Sequence, residues 1–126
     1  MRGPTKQEFK MGNPVVWFEV IGNDGGKLRE FYGGLFGWTF KDVPEMDYGM
    51  TESEQTGIPG GVGKAPAGPG WATFYVDVPD LEASLAKATE QGAKVLMPPT
   101  PLPDGKIAVF ADPEGHPIGL HQSTAA

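Results

Sequence analysis

From Val15 to Ile21 the chain alternates, with Val16, Phe18 and Val20 on one face and Val15, Trp17, Glu19 and Ile21 on the other. A strand apolar on both sides apart from one acid predicts a helix against one face and a cavity along the other. The run GNDGG breaks the strand. Beyond Lys27 the apolar residues fall at Leu28, Phe31, Tyr32 and Leu35, a helical spacing that Gly37 stops. Trp38–Val43 reads as a second strand, and the glycine-rich stretch 44–70 holds two weaker strands, Tyr48–Thr51 and Ile58–Gly63. Alternation resumes over Ala72–Val78, where Phe74, Val76 and Val78 oppose Thr73, Tyr75 and Asp77. Asp80 is placed to cap a helix whose stripe is Leu81, Leu85 and Ala88, with Glu82 in its first turn and Gly92 at its end. Lys94–Met97, Lys106–Ala111 and Pro117–Gln122 complete the strands, the last two joined by the turn Asp112-Pro113-Glu114-Gly115. The proline-rich stretch Pro98–Pro103 reads as a rigid connector, and residues 1–13, polar and without period, as a tail.

The order strand–helix–strand–strand–strand thus occurs twice, over about 14–65 and 70–123, within one domain spanning 14–123. The halves superpose on paper. Val20 matches Val76 and Asp24 matches Asp80 at an offset of 56, and Gly37 matches Gly92 at 55. Pro59-Gly60-Gly61-Val62 matches Pro117-Ile118-Gly119-Leu120 at 58. An ordered series with a drifting offset is the mark of duplication with small insertions.

Composition narrows the chemistry. A chain of 126 residues buries enough surface to fold without staples, and with no cysteine it has neither disulfides nor thiolate ligands or nucleophiles. Ten basic against 16 acidic residues give a formal charge of −6, with no basic cluster, which argues against nucleic acid and anionic membranes as partners. Apolar runs are too short to span a bilayer and the N-terminus lacks a signal-peptide pattern, so the expected compartment is the cytoplasm.

The chain resembles the vicinal oxygen chelate superfamily, which includes glyoxalase I, bleomycin-resistance proteins and extradiol dioxygenases. The resemblance rests on Phe18-Glu19-Val20 before Asp24, on Arg29-Glu30-Phe31-Tyr32 leading into Leu35-Phe36-Gly37-Trp38, and on Gly60-Gly61. In the second half it rests on Phe74–Val78 with Asp80-Leu81, Gly92–Val95, Phe110–Gly115 and Ile118-Gly119-Leu120. It implies an α+β fold of two βαβββ modules whose curved mixed sheet encloses a cavity, and a homodimer as in many relatives. Metal-dependent relatives hold one divalent ion through His, Gln or Glu on the inner faces. Carried over residue by residue, those ligand positions fall on Trp17, Gly61, Thr73 and Gly119. Glycine has no donor, indole offers only an N–H, and a lone threonine hydroxyl is a poor ligand, so no metal and no other cofactor is expected.

The leading expectation is therefore a small-molecule-binding protein of this superfamily, working without a metal and sequestering a toxic compound. Its pocket would be lined by Trp17, Glu19, Thr73, Tyr75, Phe110 and His121. Trp17 reads either as an aromatic pocket floor or as core filling the space of a lost metal site. Tyr75 reads as a ligand-orienting hydroxyl or one tied to a carbonyl. Glu19 is the candidate catalytic residue, a general base with a raised pKa, against the alternative of an ion pair at the cavity mouth. His121 reads as an acid–base or binding group or as a strand-end residue, and His116 as an exposed turn residue. Two alternatives stand beside binding. One is a lyase or dioxygenase-type enzyme, metal-dependent through atypical ligands or acid–base through Glu19. The other is a protein-interaction module.

Overall fold

The computed structural model describes residues 12–124; the expected tail over 1–13 therefore lies, except for its last two residues, outside the described residues. The elements are β1 (Val15–Gly22), α1 (Gly25–Phe36), β2 (Lys41–Val43), β3 (Tyr48–Thr51), the four-residue α2 (Ser53–Thr56) and β4 (Gly60–Lys64). After them come β5 (Trp71–Asp77), α3 (Leu81–Glu90), β6 (Lys94–Leu102), β7 (Gly105–Ala111) and β8 (Pro117–Ser123). All eight strands form one sheet in the order β2-β3-β4-β1-β5-β8-β7-β6. Its two halves repeat the same arrangement and join through the antiparallel pair β1·β5, so the modules pair within the chain. Each first strand runs parallel to its module's last, β1 with β4 and β5 with β8.

Both long helices start in the same way. The Asp24 carboxylate accepts from the Lys27 amide and the Asp80 carboxylate from the Ala83 amide, each at 3.0 Å. Each satisfies one of the amides that a helix N-terminus leaves free. Gly37 closes α1 in the left-handed region at φ 75°, its amide bonded to the Gly33 carbonyl, a conformation that costs glycine least.

The helices then pack differently. Leu81 and Leu85 of α3 enter a core with Val78, Ala108 and Leu120, against which Val76 and Phe110 also pack. Leu81 is fully buried, a gain of about 1.5–3 kcal/mol for a side chain of this size. α1 buries only Gly25, where the helix comes so close to β4 that a Cβ would lie 2.7 Å from the Lys64 amide nitrogen. Arg29 ties α1 down instead. Its guanidinium donates to the carbonyls of Asp47 (3.2 Å) and Val62 (3.1 Å) and pairs with the Asp47 carboxylate at 2.9 Å. Phe31, Leu35 and Phe36 stay on the surface, more than half exposed.

Two elements differ from the sequence expectation. The strand expected at Trp38–Val43 begins only at Lys41. Ahead of it the Trp38 ring lies against Phe18, Tyr32 and Phe36, and the Thr39 amide and carbonyl bond to the Gln55 side chain instead of a strand. Conversely, Pro98–Pro103 is not merely a connector, because β6 continues through it to Leu102. β6 is an edge strand whose register with β7 shifts twice, the setting in which missing proline N–H groups are tolerated.

Candidate functional site

The site is built where the modules meet. On β1, Trp17 and Glu19 face the concave side of the sheet. Across β1·β5 they stand opposite Tyr75 and Thr73 respectively, and Glu19 also pairs with Gly61 of β4. On the next strand Tyr75 pairs with Gly119. Both glycines are bare because tyrosines cover them: a Cβ at Gly61 would collide with the Tyr48 ring, and one at Gly119 with the Tyr75 ring.

The two phenols converge on one carboxylate. Tyr48 donates to Glu19 Oε2 at 2.9 Å and Tyr75 to Glu19 Oε1 at 3.0 Å. Trp17 Nε1 donates to the Tyr48 hydroxyl at 3.1 Å. Glu19 and Tyr75 are 56 residues apart, so they occupy equivalent positions of the two modules and meet across the join. Burial raises the Glu19 pKa above its ordinary value, and the two phenol hydrogen bonds oppose that rise. Both phenols are pushed above the normal tyrosine range, first by burial and then by the Glu19 charge, so they remain donors. No ion pair includes Glu19 among the described residues, so the mouth-side lysine or arginine considered above is not its partner.

Around this carboxylate the cavity has two lobes sharing Glu19, Met46, Tyr48, Tyr75 and Ile107. The first, of about 590 Å³, adds Val16, Trp17, Val43, Met50 and Leu102, with Asp104 and His121 as its other polar residues. The second, of about 700 Å³, runs past Trp71, Leu96 and Met97 to Lys64. There the Trp71 indole N–H is buried without an acceptor among the described residues.

Four of the expected pocket residues, Trp17, Glu19, Tyr75 and His121, line this cavity. His121 is held by Asp77, Nδ1 to Oδ1 at 2.9 Å. The other two are corrections. Phe110 lies three residues beyond the cavity-lining Ile107, hence on the opposite strand face, and packs into the α3 core. Thr73 lines neither lobe, and its hydroxyl donates to the Pro117 carbonyl at 2.6 Å. His116 is an exposed turn residue bonded to Asp112. The sequence reading missed Tyr48, which sits on a short, weakly patterned strand. Its signal was indirect, since the two bare glycines leave space that some large side chain must fill.

The sequence model of the Glyoxalase/Bleomycin resistance protein/Dioxygenase superfamily matches residues 15–120. The chain belongs to this superfamily. A Mycobacterium tuberculosis protein named "Putative glyoxylase CFP32" is 32% identical over 130 residues, covering 95% of this chain and 49% of that protein. The anthracycline biosynthesis protein DnrV of Streptomyces peucetius is 32% identical over 127 residues, covering 85% of this chain and 46% of its own length. The chain thus spans about half the length of the curated relatives it matches. In fold it is similar to the crystal structure of a superfamily member from Vibrio splendidus 12B01, at a TM-score of 0.63 and 18% identity, covering 88% of this chain and 99% of that one.

The resemblance implies a divalent metal in many superfamily members, and the residues here do not fit one. Of the four positions, Gly61 and Gly119 lie beneath tyrosine rings, the Thr73 hydroxyl is turned to a backbone carbonyl, and Trp17 presents an N–H. Among the described residues no group of three or more His, Cys, Asp or Glu side chains is placed to hold a metal ion. Nor is any described helix long and apolar enough to cross a membrane.

Proposed function

We propose that this protein binds a small organic molecule in the cavity around Glu19 without a metal ion. The observation that carries the reading is the Glu19 carboxylate held by Tyr48 and Tyr75, whose rings fill the space over Gly61 and Gly119. An apolar concavity with a few convergent polar groups is the usual form of a small-molecule site. In this reading the protein sequesters its ligand in the cytoplasm, as a homodimer. Titrating candidate ligands against tryptophan fluorescence tests binding, because Trp17 touches both the cavity and the Tyr48 hydroxyl. A saturable change that shrinks in Trp17→Phe supports the reading. A silent cavity in both proteins across a broad ligand panel contradicts it.

One observation favours a second reading, acid–base catalysis. Glu19 is a carboxylate whose burial raises its pKa, the property a general base at neutral pH needs. Turnover of a bound ligand, lost in Glu19→Gln with binding retained, would place catalysis ahead of sequestration.

A further inference from the structure

Resting on the cavity-binding reading, we infer that the ligand is an organic cation, a protonated amine or amidine on an apolar body, with its charged end against Glu19 in the first lobe. The argument is an accounting of donors and acceptors. Trp17 spends its N–H on Tyr48, and Tyr48 and Tyr75 spend their hydroxyl protons on Glu19. Each Glu19 oxygen accepts one of these bonds, and a carboxylate oxygen has room for a second. The Tyr75 hydroxyl oxygen likewise keeps acceptor capacity. What this cluster offers a ligand is therefore acceptors alone.

The charges agree. Among the described residues lining the first lobe, Glu19 and Asp104 are acids, and none is a lysine or arginine. His121 bonds to Asp77, so the pair brings no net positive charge whichever of them holds the proton. In the first lobe an anionic ligand would meet a buried carboxylate with no lysine or arginine among the described lining residues to neutralise it, whereas a cation would supply the counter-charge. Trp17, Tyr48 and Tyr75 add the aromatic surfaces that attract a desolvated cation. Donors line the second lobe, which Glu19 also lines: Lys64 and the Trp71 N–H, which has no acceptor among the described residues. The first lobe, with no lysine or arginine in its described lining, therefore takes the charged end.

The test is calorimetric titration with three matched probes that differ in charge: naphthylmethylamine, naphthylmethanol and naphthylacetate. At neutral pH the amine should bind about tenfold or more tighter than the alcohol, the scale of one charge-assisted hydrogen bond in a partly desolvated site, and the acetate weaker than both. Glu19→Gln should erase the preference for the amine, so that amine and alcohol bind within about threefold of each other. Equal binding of amine and alcohol, or tighter binding of the acetate, overturns the cation assignment and leaves the cavity reading standing. Failure of all three probes to bind overturns the cation assignment, and the fluorescence titration with the broad panel then decides the cavity reading separately. The wild-type series needs no variant, so a Glu19→Gln protein that failed to fold would still leave the charge preference decided.

Discussion

The two modules share a plan and divide the labour. Each has a first strand, an aspartate-capped helix and three further strands, and the first strands meet at the centre of the sheet. Module two is the better anchored: α3 sinks Leu81 and Leu85 into a core closed by Val78, Ala108 and Leu120. In module one, α1 is held by Arg29 and by the close approach at Gly25, and its aromatic stripe remains on the surface. The cavity shows the same split. Module one contributes the acid, Glu19, and module two contributes a phenol, Tyr75, at the equivalent position. The repeated frame is thus the same in both modules, while the equivalent inward-facing positions carry an acceptor, Glu19, in one and a donor, Tyr75, in the other.

This comparison can be broken at several places. Leu81→Ala should destabilise most, by about 2–5 kcal/mol, because it opens a cavity in the core of module two. Denaturant unfolding measures it, and a loss below about 1 kcal/mol would mean that α3 is not the better-anchored helix. Next, Gly61→Ala and Gly119→Ala should each cost about 1–3 kcal/mol, since the new methyl displaces Tyr48 or Tyr75. Each displaced phenol also frees one Glu19 oxygen, so the pair of variants reads the two halves of the site separately.

Glu19→Gln should act in the opposite direction, raising stability at neutral pH by about 1 kcal/mol, as removal of a buried carboxylate without an ion-pair partner can do. The sign follows from linkage. Burial raises the folded-state pKa of Glu19 above its ordinary value of 4.5, so the unfolded chain loses this proton first as pH rises. The favourable contribution of the protonated group is complete below the ordinary value and is lost as pH rises through the folded-state pKa. Unfolding of wild type and Glu19→Gln across that interval should therefore show the variant's advantage growing with pH. A constant difference would contradict the uncompensated carboxylate. Smallest of all, Phe31→Ser on the open face of α1 should change stability by no more than about 0.5 kcal/mol. A larger loss would show that this stripe is packed in solution.

The fold was legible because its signals are local and strong. Two alternating strands, two helical stripes and an offset near 56 define the modules without knowledge of any contact. The site was legible where strand parity holds, from Trp17 onward in β1, past the register shift at Val15–Trp17, and along β5. Trp17, Glu19 and Tyr75 follow from alternation about two long strands, and His121 from its even spacing to Gly119. Phe110 was misplaced by parity along β7, where no inward residue had been fixed to count from. Thr73 has the right register, opposite Glu19, yet its hydroxyl finds the Pro117 carbonyl, a partner 44 residues away that no local pattern reveals. Tyr48 was invisible for a related reason: it matters through Gly61, which is on another strand, and through Glu19, which is on a third.

The central claim is that tyrosines and one carboxylate have taken the place of a metal site. Elemental analysis of the purified, untagged protein tests it most directly, repeated after soaking in nickel, zinc, manganese or iron and desalting. The account predicts essentially no retained metal under any of these conditions. Close to one ion per chain would contradict it, and would mean that Glu19 and His121 serve a metal centre after all.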